Sequence, residues 1–310
     1  MSTDAKTEAS LRVGLIGYGE VGRILSRALV EKRVGWVGAW DILLRDAAHG
    51  PAMRAHAQGA GVQACDSSAA LLERCDVAIS AVTAANSFDV AREAAQSIRP
   101  GTFFLDLNSA SPATKARSAR LIEAAGAHYV EAGVMTSVPP YGIRVPMVTG
   151  GARAADLAAR LAPLGFSMEV VASEIGVASA IKMCRSVMVK GLEAMVIEAY
   201  LTARRYGVED RVLASLKETF PGMDWEKQGA YFFSRVARHG RRRAEEMREA
   251  AVTVREAGFE PWIAAATADK QDWFAALARS GLFRDLEDSD WRAYADRVLS
   301  ASRGDKAGSG

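Results

Sequence analysis

Between Leu11 and about Ala172, short runs rich in β-branched and aromatic residues alternate with longer stretches whose apolar positions recur every third or fourth residue. The strand-like runs are LRVGLIG, VGWVGAW, DVAISAV, GTFFLDL, HYVEAGV, VPMVTGG and FSMEVVA. Helical stretches such as GRILSRALVEKR, SFDVAREAAQSI, PATKARSARLIEAAG and RAADLAARLAPLG follow most of them. This rhythm predicts an α/β fold, a mostly parallel, doubly wound sheet with helices on both faces. At about Ser173 it changes. From there to Arg303 the pattern is helical only, broken at Gly207, at 220–224, at 239–240, at 257–261 and at Gly281. The pattern from about Glu174 to Tyr206 has no breaker and reads as a long helix joining the two parts. The organisation expected is a tail at 1–10, an α/β domain over 11–172, an all-helical domain over 173–303 and a tail at 304–310, both tails being small and polar.

The joining helix carries an oddity. Its first half, GVASAIKMCRSVMVKG (176–191), is apolar yet contains Lys182, Arg185 and Lys190. Taking an ammonium out of water costs several kcal/mol unless the charge is paired or dropped. On a helix, Ser179, Lys182, Ser186 and Glu193 fall on one stripe, with Arg185 at its border. Lys190 lies well around the helix from Lys182, where its stem can snorkel to water. Lys182 is therefore expected to be the inward lysine, near the hinge between domains.

The first strand-to-helix junction, LRVGLIGYGEVGR, sets Gly17, Gly19 and Gly22 in the GxGxxG spacing. Gly17 suits the tight turn, Gly19 lets backbone approach a pyrophosphate, and Gly22 lets helix and strand pack closely. The free amides of the helix N-terminus then face the phosphates, so Gly17, Tyr18, Gly19, Glu20, Val21 and Gly22 form the candidate cradle. Asp41 ends the second strand, 19 residues after Gly22. A carboxylate there accepts from the adenosine ribose and repels a 2′-phosphate, which favours NAD. Arg45 keeps NADP open, since a guanidinium nearby can hold that phosphate. Val82 and Thr83, at the end of DVAISAV, are expected to face the cofactor as well, because ligands sit outside the carboxyl ends of strands. In FFLDLNSASPATKA, Asn108 and Ser109 occupy such an end and are candidates for a polar ligand, whereas Ser111 before Pro112 reads as a helix cap.

Composition narrows the function classes. The 310 residues include 39 basic and 37 acidic side chains, a balance with no field to recruit nucleic acid or a membrane surface. Cys65, Cys75 and Cys184 are too few and too scattered for a disulfide framework. No cluster has metal-ligand spacing, no apolar run is long enough to span a bilayer, and the N-terminus lacks a signal peptide's core. A soluble, cytoplasmic protein is expected.

The order of motifs resembles the β-hydroxyacid dehydrogenase superfamily, which includes 6-phosphogluconate and 3-hydroxyisobutyrate dehydrogenases. The resemblance rests on GLIGYGEVG, on DLNSASP where the family has an Asp-x-Ser-Thr segment, on YVEAGV, on GVASAIKM, where the family has a glycine six residues before its catalytic lysine, and on AAVTVREAGFEP. It covers nearly the whole chain. PPYGIRVPM and IKMCRSVMVKG resemble the 6-phosphogluconate-dehydrogenase-like branch with a C-terminal domain of unknown function. The resemblance implies a Rossmann-type dinucleotide domain over 11–172, a helical substrate and dimerisation domain, and Lys182 as general acid/base. There are departures. Where the family follows Asp-Ala-Pro with Val-Ser-Gly-Gly, this chain has EAGVMTS, which puts Met135, Thr136 and Ser137 over the segment that binds the substrate carboxylate. Ser186 stands where the family has asparagine and is a candidate to orient substrate or amine, and Glu245 falls about where the family often has a lysine. Arg144 in PPYGIRVP is a candidate carboxylate clamp replacing the lost amides, and Arg185 a further substrate contact. RHGRRR (238–243) reads either as an acid-binding patch or as a solvated face.

The expected function is reversible hydride transfer between a nicotinamide and a small β-hydroxy acid or related alcohol. Burial and Arg185 would tune Lys182 to take the hydroxyl proton, and decarboxylation would follow where the pocket stabilises an enolate. The alternatives are an imine or ketone reductase on the same fold, against which Lys182 argues, and a non-catalytic dinucleotide-binding sensor. The apolar runs AYFFSRV and EPWIAAA point to a homodimer through the helical domain.

Overall fold

Four strand runs are buried along nearly their whole length, as strands flanked by helices on both sides must be. They are β1 (Arg12–Ile16), β2 (Trp36–Trp40), β4 (Val77–Ser80) and β5 (Phe103–Asp106). The structure is a computed structural model that describes residues 11–287 and 289–307; the expected tail at 1–10 and residues 308–310 lie outside the described residues. Together with β3 (Gln63–Ala64), β6 (His128–Val134), β7 (Pro146–Gly150) and β8 (Ser167–Ala172), these strands form one eight-stranded sheet in the order β3-β2-β1-β4-β5-β6-β7-β8. All neighbours are parallel except β6 and β7, which are antiparallel and joined by a loop that contains no crossover helix. The two-residue β3 is too short to leave a period in the sequence.

The helices of this part are α1 (Glu20–Glu31), α2 (Gly50–Gly59), α3 (Ser68–Leu72), α4 (Ser87–Ala94), α5 (Pro112–Ala124) and α6 (Ala154–Leu161). Ser111 caps α5 by accepting from the Thr114 amide, with Pro112 in the first turn. Because the chain runs outward from β1 in both directions, to β2 on one side and β4 on the other, the topological switch point lies at the carboxyl ends of β1 and β4. The fold thus creates a crevice beside the glycine turn.

The chain divides into two compact units, 1–183 and 184–310. The long helix α7 (Val177–Tyr206) begins in the first and continues in the second, followed by α8 (Glu209–Thr219), α9 (Trp225–Glu256), α10 (Trp262–Arg279) and α11 (Trp291–Ala307), which reaches into the stretch expected as a tail. The second unit has its own aromatic core of Tyr200, Phe233, Phe274, Trp291 and Tyr294. Four of the five expected breaks fall between helices; the fifth does not. Gly240 sits inside α9, and a Cβ there would come within 2.8 Å of the Gln271 carbonyl oxygen and 2.9 Å of the Ala275 Cβ. That glycine exists for close packing of α9 on α10, not to end a helix.

Candidate active site

The glycine turn meets three separate steric demands. Gly17 has φ +98°, and a Cβ there would lie 2.3 Å from the Ala81 carbonyl oxygen. At Gly22 a Cβ would lie 2.0 Å from the Gly17 carbonyl oxygen, so strand and helix meet only through glycine. Gly19 is the reverse case. It is the N-cap of α1, offers no side-chain cap, and a Cβ there would meet nothing within 4 Å. A helix N-terminus with uncapped amides and open space above it fits a pyrophosphate. Exposed Glu20 and half-buried Val21 open the helix beside it.

Asp41 fastens this turn. Its carboxylate accepts from the Tyr18 amide at 2.7 Å and from the Leu43 amide at 2.9 Å, tying the end of β2 to the glycine loop. Arg45 stands over the Trp40 ring at 4.7 Å. Tyr18 corrects the expectation for the cradle: its amide goes to Asp41, and its buried ring directs the hydroxyl to His56 Nδ1 at 3.2 Å, with burial raising the hydroxyl's pKa. Tyr18 builds the turn from inside and presents nothing to a ligand.

Behind the next strand ends lies a buried polar hub that sequence reading missed. Asp106, fully buried, accepts from the Tyr129 hydroxyl at 2.6 Å, from the Asn108 amide at 2.9 Å and from Asn108 Nδ2 at 2.7 Å, and pairs with buried Lys115 at 3.0 Å. Burial beside this carboxylate raises the Tyr129 hydroxyl well above its ordinary pKa. Asn108 is therefore corrected too. Its Nδ2 also donates to Ser80 Oγ at 2.9 Å, and its Oδ1 accepts from the Val82 amide at 2.7 Å. Its side chain is spent on holding the β4 and β5 ends together, which fixes half-buried Val82 and, next to it, exposed Thr83 at the crevice. Ser109, one residue on, is half-buried.

Lys182 stands at the same edge of the sheet. At Gly133, near the carboxyl end of β6, a Cβ would lie 3.1 Å from Lys182 Cβ and 3.1 Å from the Ala178 carbonyl oxygen. Since β1, β4, β5 and β6 are successive neighbours, the glycine turn and the root of Lys182 are separated by three strand spacings, roughly 15 Å. Lys182 is half-buried rather than enclosed, and Arg185 is exposed.

In the second unit the polar stripe of α7 is covered by α9 and α10. Lys190, expected in solvent, is 5% exposed and pairs with Glu246 at 2.6 Å; it also donates to the Ser186 hydroxyl at 3.2 Å. Burial lowers its pKa, and Glu246 opposes that shift. Ser186, 6% exposed, thus serves a buried lysine rather than an open site. Glu193 takes a fork from Arg243 and an amide from Gln271 at 3.2 Å. RHGRRR is split accordingly: Arg243 is buried in this pair, while Arg241 and Arg242 are exposed.

The family described as NAD binding domain of 6-phosphogluconate dehydrogenase matches residues 12–159, and Domain of unknown function (DUF1932) matches 203–274. A conserved hypothetical protein from Sinorhizobium meliloti 1021 is 36% identical, with 93% of this chain and 95% of that chain covered and a TM-score of 0.74. The chain belongs to the 6-phosphogluconate-dehydrogenase-like branch of the β-hydroxyacid dehydrogenase superfamily that carries DUF1932. A second member, MTH1747, described as a conserved protein of unknown function with structural similarity to 3-hydroxyacid dehydrogenases, is 31% identical over 87% of this chain and 98% of that one, with a TM-score of 0.67. Mycobacterium tuberculosis 3-hydroxyisobutyrate dehydrogenase, solved with L-serine, shares the fold at 18% identity, with 94% and 99% covered and a TM-score of 0.67. The superfamily's dinucleotide domain brings a nicotinamide cofactor with it, and the glycine turn described above fits one. Thr136 and Ser137, in the segment where this chain departs from the superfamily, lie on the loop after β6, exposed and half-buried respectively. Arg144 is exposed on a 3-10 turn (Gly142–Arg144), and its Cγ lies 3.9 Å from where a Cβ on Gly165 would be. Its stem therefore runs beside the loop that leads into β8. No described helix is long and apolar enough to cross a membrane.

Proposed function

We propose that the protein is an NAD(P)-dependent dehydrogenase that oxidises, reversibly, the hydroxyl-bearing carbon of a small β-hydroxy acid, with Lys182 as general acid/base. The observation that carries this reading is the root of Lys182 lying against Gly133 at the sheet edge that also bears the glycine turn. A nicotinamide bound at that turn supplies the hydride acceptor. The chain's own residues do the rest. Lys182 takes the hydroxyl proton on its amine as the carbonyl forms and returns it in the reverse direction. Ser109, Thr136 and Ser137 offer hydroxyls to the substrate, and Arg144 offers a guanidinium to its carboxylate. The test is a panel of C3 to C6 3-hydroxy acids assayed with NAD and NADP by reduced-nicotinamide absorbance. Turnover of a 3-hydroxy acid supports the reading, and turnover of cyclic imines alone overturns it.

Cofactor preference follows from Asp41. Anchored by two amides, its carboxylate cannot swing away from a 2′-phosphate, so NADH is expected to bind more tightly than NADPH. Asp41→Asn should narrow the gap about tenfold, the equivalent of roughly 1.4 kcal/mol, read by nicotinamide fluorescence titration. Arg45→Ala should weaken NADPH alone. Tighter NADPH binding by the unmodified protein would reverse the assignment.

A homodimer through the helical unit is part of this reading, with a corrected surface. Phe232, Phe233 and Val236 of AYFFSRV are spent in the unit's own core. Trp262 of EPWIAAA is 77% exposed, and Ile263 and Phe259 are exposed beside it in sequence. Light scattering is expected to give a dimer, and Trp262→Glu with Ile263→Glu a monomer.

A further inference from the structure

Helix α7 supplies no cap of its own. The residues before Val177 are Ile175 and Gly176, and the hydroxyl of Ser179 turns back to donate to the Gly176 carbonyl at 3.1 Å. Its first amides are satisfied from 45 residues earlier in the chain. The carboxylate of Glu131, on β6 and fully buried, accepts from the amides of Gly176 at 2.7 Å, Ala178 at 3.1 Å and Ser179 at 3.3 Å. An ionised acceptor suits the positive end of a helix, and only a carboxylate has the acceptor capacity for three donors with none turned against them. Glycine clears the space. A Cβ on Gly150 would come within 2.9 Å of Glu131 Oε1, and Gly133, two residues beyond Glu131, lies against Ala178 and Lys182. Lys182 follows the last capped amide by one helical turn, so the strand that caps the helix also touches the lysine's first side-chain carbon.

We propose that Glu131 is the positioning residue for Lys182: its carboxylate clamps the first turn of α7 onto β6 and thereby sets where the lysine amine stands at the sheet edge. The inference rests on the reading of Lys182 as proton carrier. It assigns to the glutamate of YVEAGV, just before the segment where this chain departs from its superfamily, a task that does not involve touching substrate.

Reductive methylation of the folded protein with ¹³C-formaldehyde gives each accessible lysine a methyl NMR signal, and the Lys182 signal is assigned by its loss in Lys182→Arg. In Glu131→Gln one acceptor oxygen becomes an amide donor facing amide donors. The Lys182 signal is expected to move by more than its linewidth while those of the surface residues Lys32 and Lys217 stay. An unmoved Lys182 signal in folded Glu131→Gln overturns the proposal. Should that variant fail to fold, Glu131→Asp keeps the charge and shortens the reach by one methylene; a moved Lys182 signal supports the clamp and an unmoved one overturns it. This readout needs no substrate, so it is separate from the catalytic reading: full turnover by Lys182→Ala would sink that reading and leave the signal to decide the positioning.

Discussion

Lys182→Ala is expected to lower kcat by about 10²- to 10⁴-fold, the usual contribution of a positioned acid/base, while leaving nicotinamide affinity near that of the unmodified enzyme. The separation follows from the architecture. The proposed dinucleotide cradle includes Gly17, Gly19, Gly22 and Asp41, whose steric contacts and hydrogen bonds run among β1, β2, α1 and the end of β4. Lys182→Arg should be equally inactive in the oxidation direction, since a guanidinium stays protonated and cannot take the hydroxyl proton. Added methylamine, free to occupy the space vacated in Lys182→Ala, should restore part of the lost rate. Measuring kcat on an active 3-hydroxy acid, together with the dissociation constant for NADH, checks all three outcomes. Loss of rate with retained binding excludes a non-catalytic sensor. Undiminished turnover by the alanine variant would remove Lys182 from the chemistry.

How far the site was legible in the sequence depended on the range of the interactions. The glycine turn was readable because its GxGxxG spacing is local: Gly17 and Gly22 face each other across one strand-to-helix junction, although the Ala81 carbonyl that also demands glycine at position 17 lies far along the chain. Strands β1, β2, β4 and β5 were readable as runs of buried residues, whereas β3, whose two residues pair with Gly38 and Ala39, was not. The polar network was not readable. Asp106, Lys115, Tyr129 and Ser80 come from four elements, and nothing in DLNSASP shows that the asparagine turns inward to Val82 rather than outward. A helical wheel sorts residues into faces without saying what covers each face, and so Lys190 was misread. The face it occupies is covered by Glu246 of α9, which lies far along the chain. The same limit hid Glu131, whose partners are backbone amides and carry no residue signature.

The buried lysine leads to the second large expected effect. Glu246→Ala should destabilise the helical unit by about 3–5 kcal/mol, because it removes the carboxylate paired with the enclosed Lys190 ammonium and leaves the Ser186 hydroxyl at 3.2 Å as its hydrogen-bond partner. The pH dependence has a definite sign. Burial holds the folded-state pKa of Lys190 below its unfolded value, and Glu246 opposes that shift, so removing Glu246 lowers it further. Between the two values the unfolded chain binds the extra proton, and stability then rises with pH. Glu246→Ala should accordingly recover part of its loss on going from pH 6 to pH 9, and more steeply than the unmodified protein over the same interval. Lys190→Met combined with Glu246→Leu removes charge and counter-charge together, and should stay within about 2 kcal/mol of the original, since apolar replacement of a buried pair is often neutral or better. Thermal midpoints of the three proteins at both pH values test this. Equal midpoints for Glu246→Ala and the unmodified protein at pH 6 would mean that the ammonium reaches water by another route, and the pairing would then carry no weight in the fold.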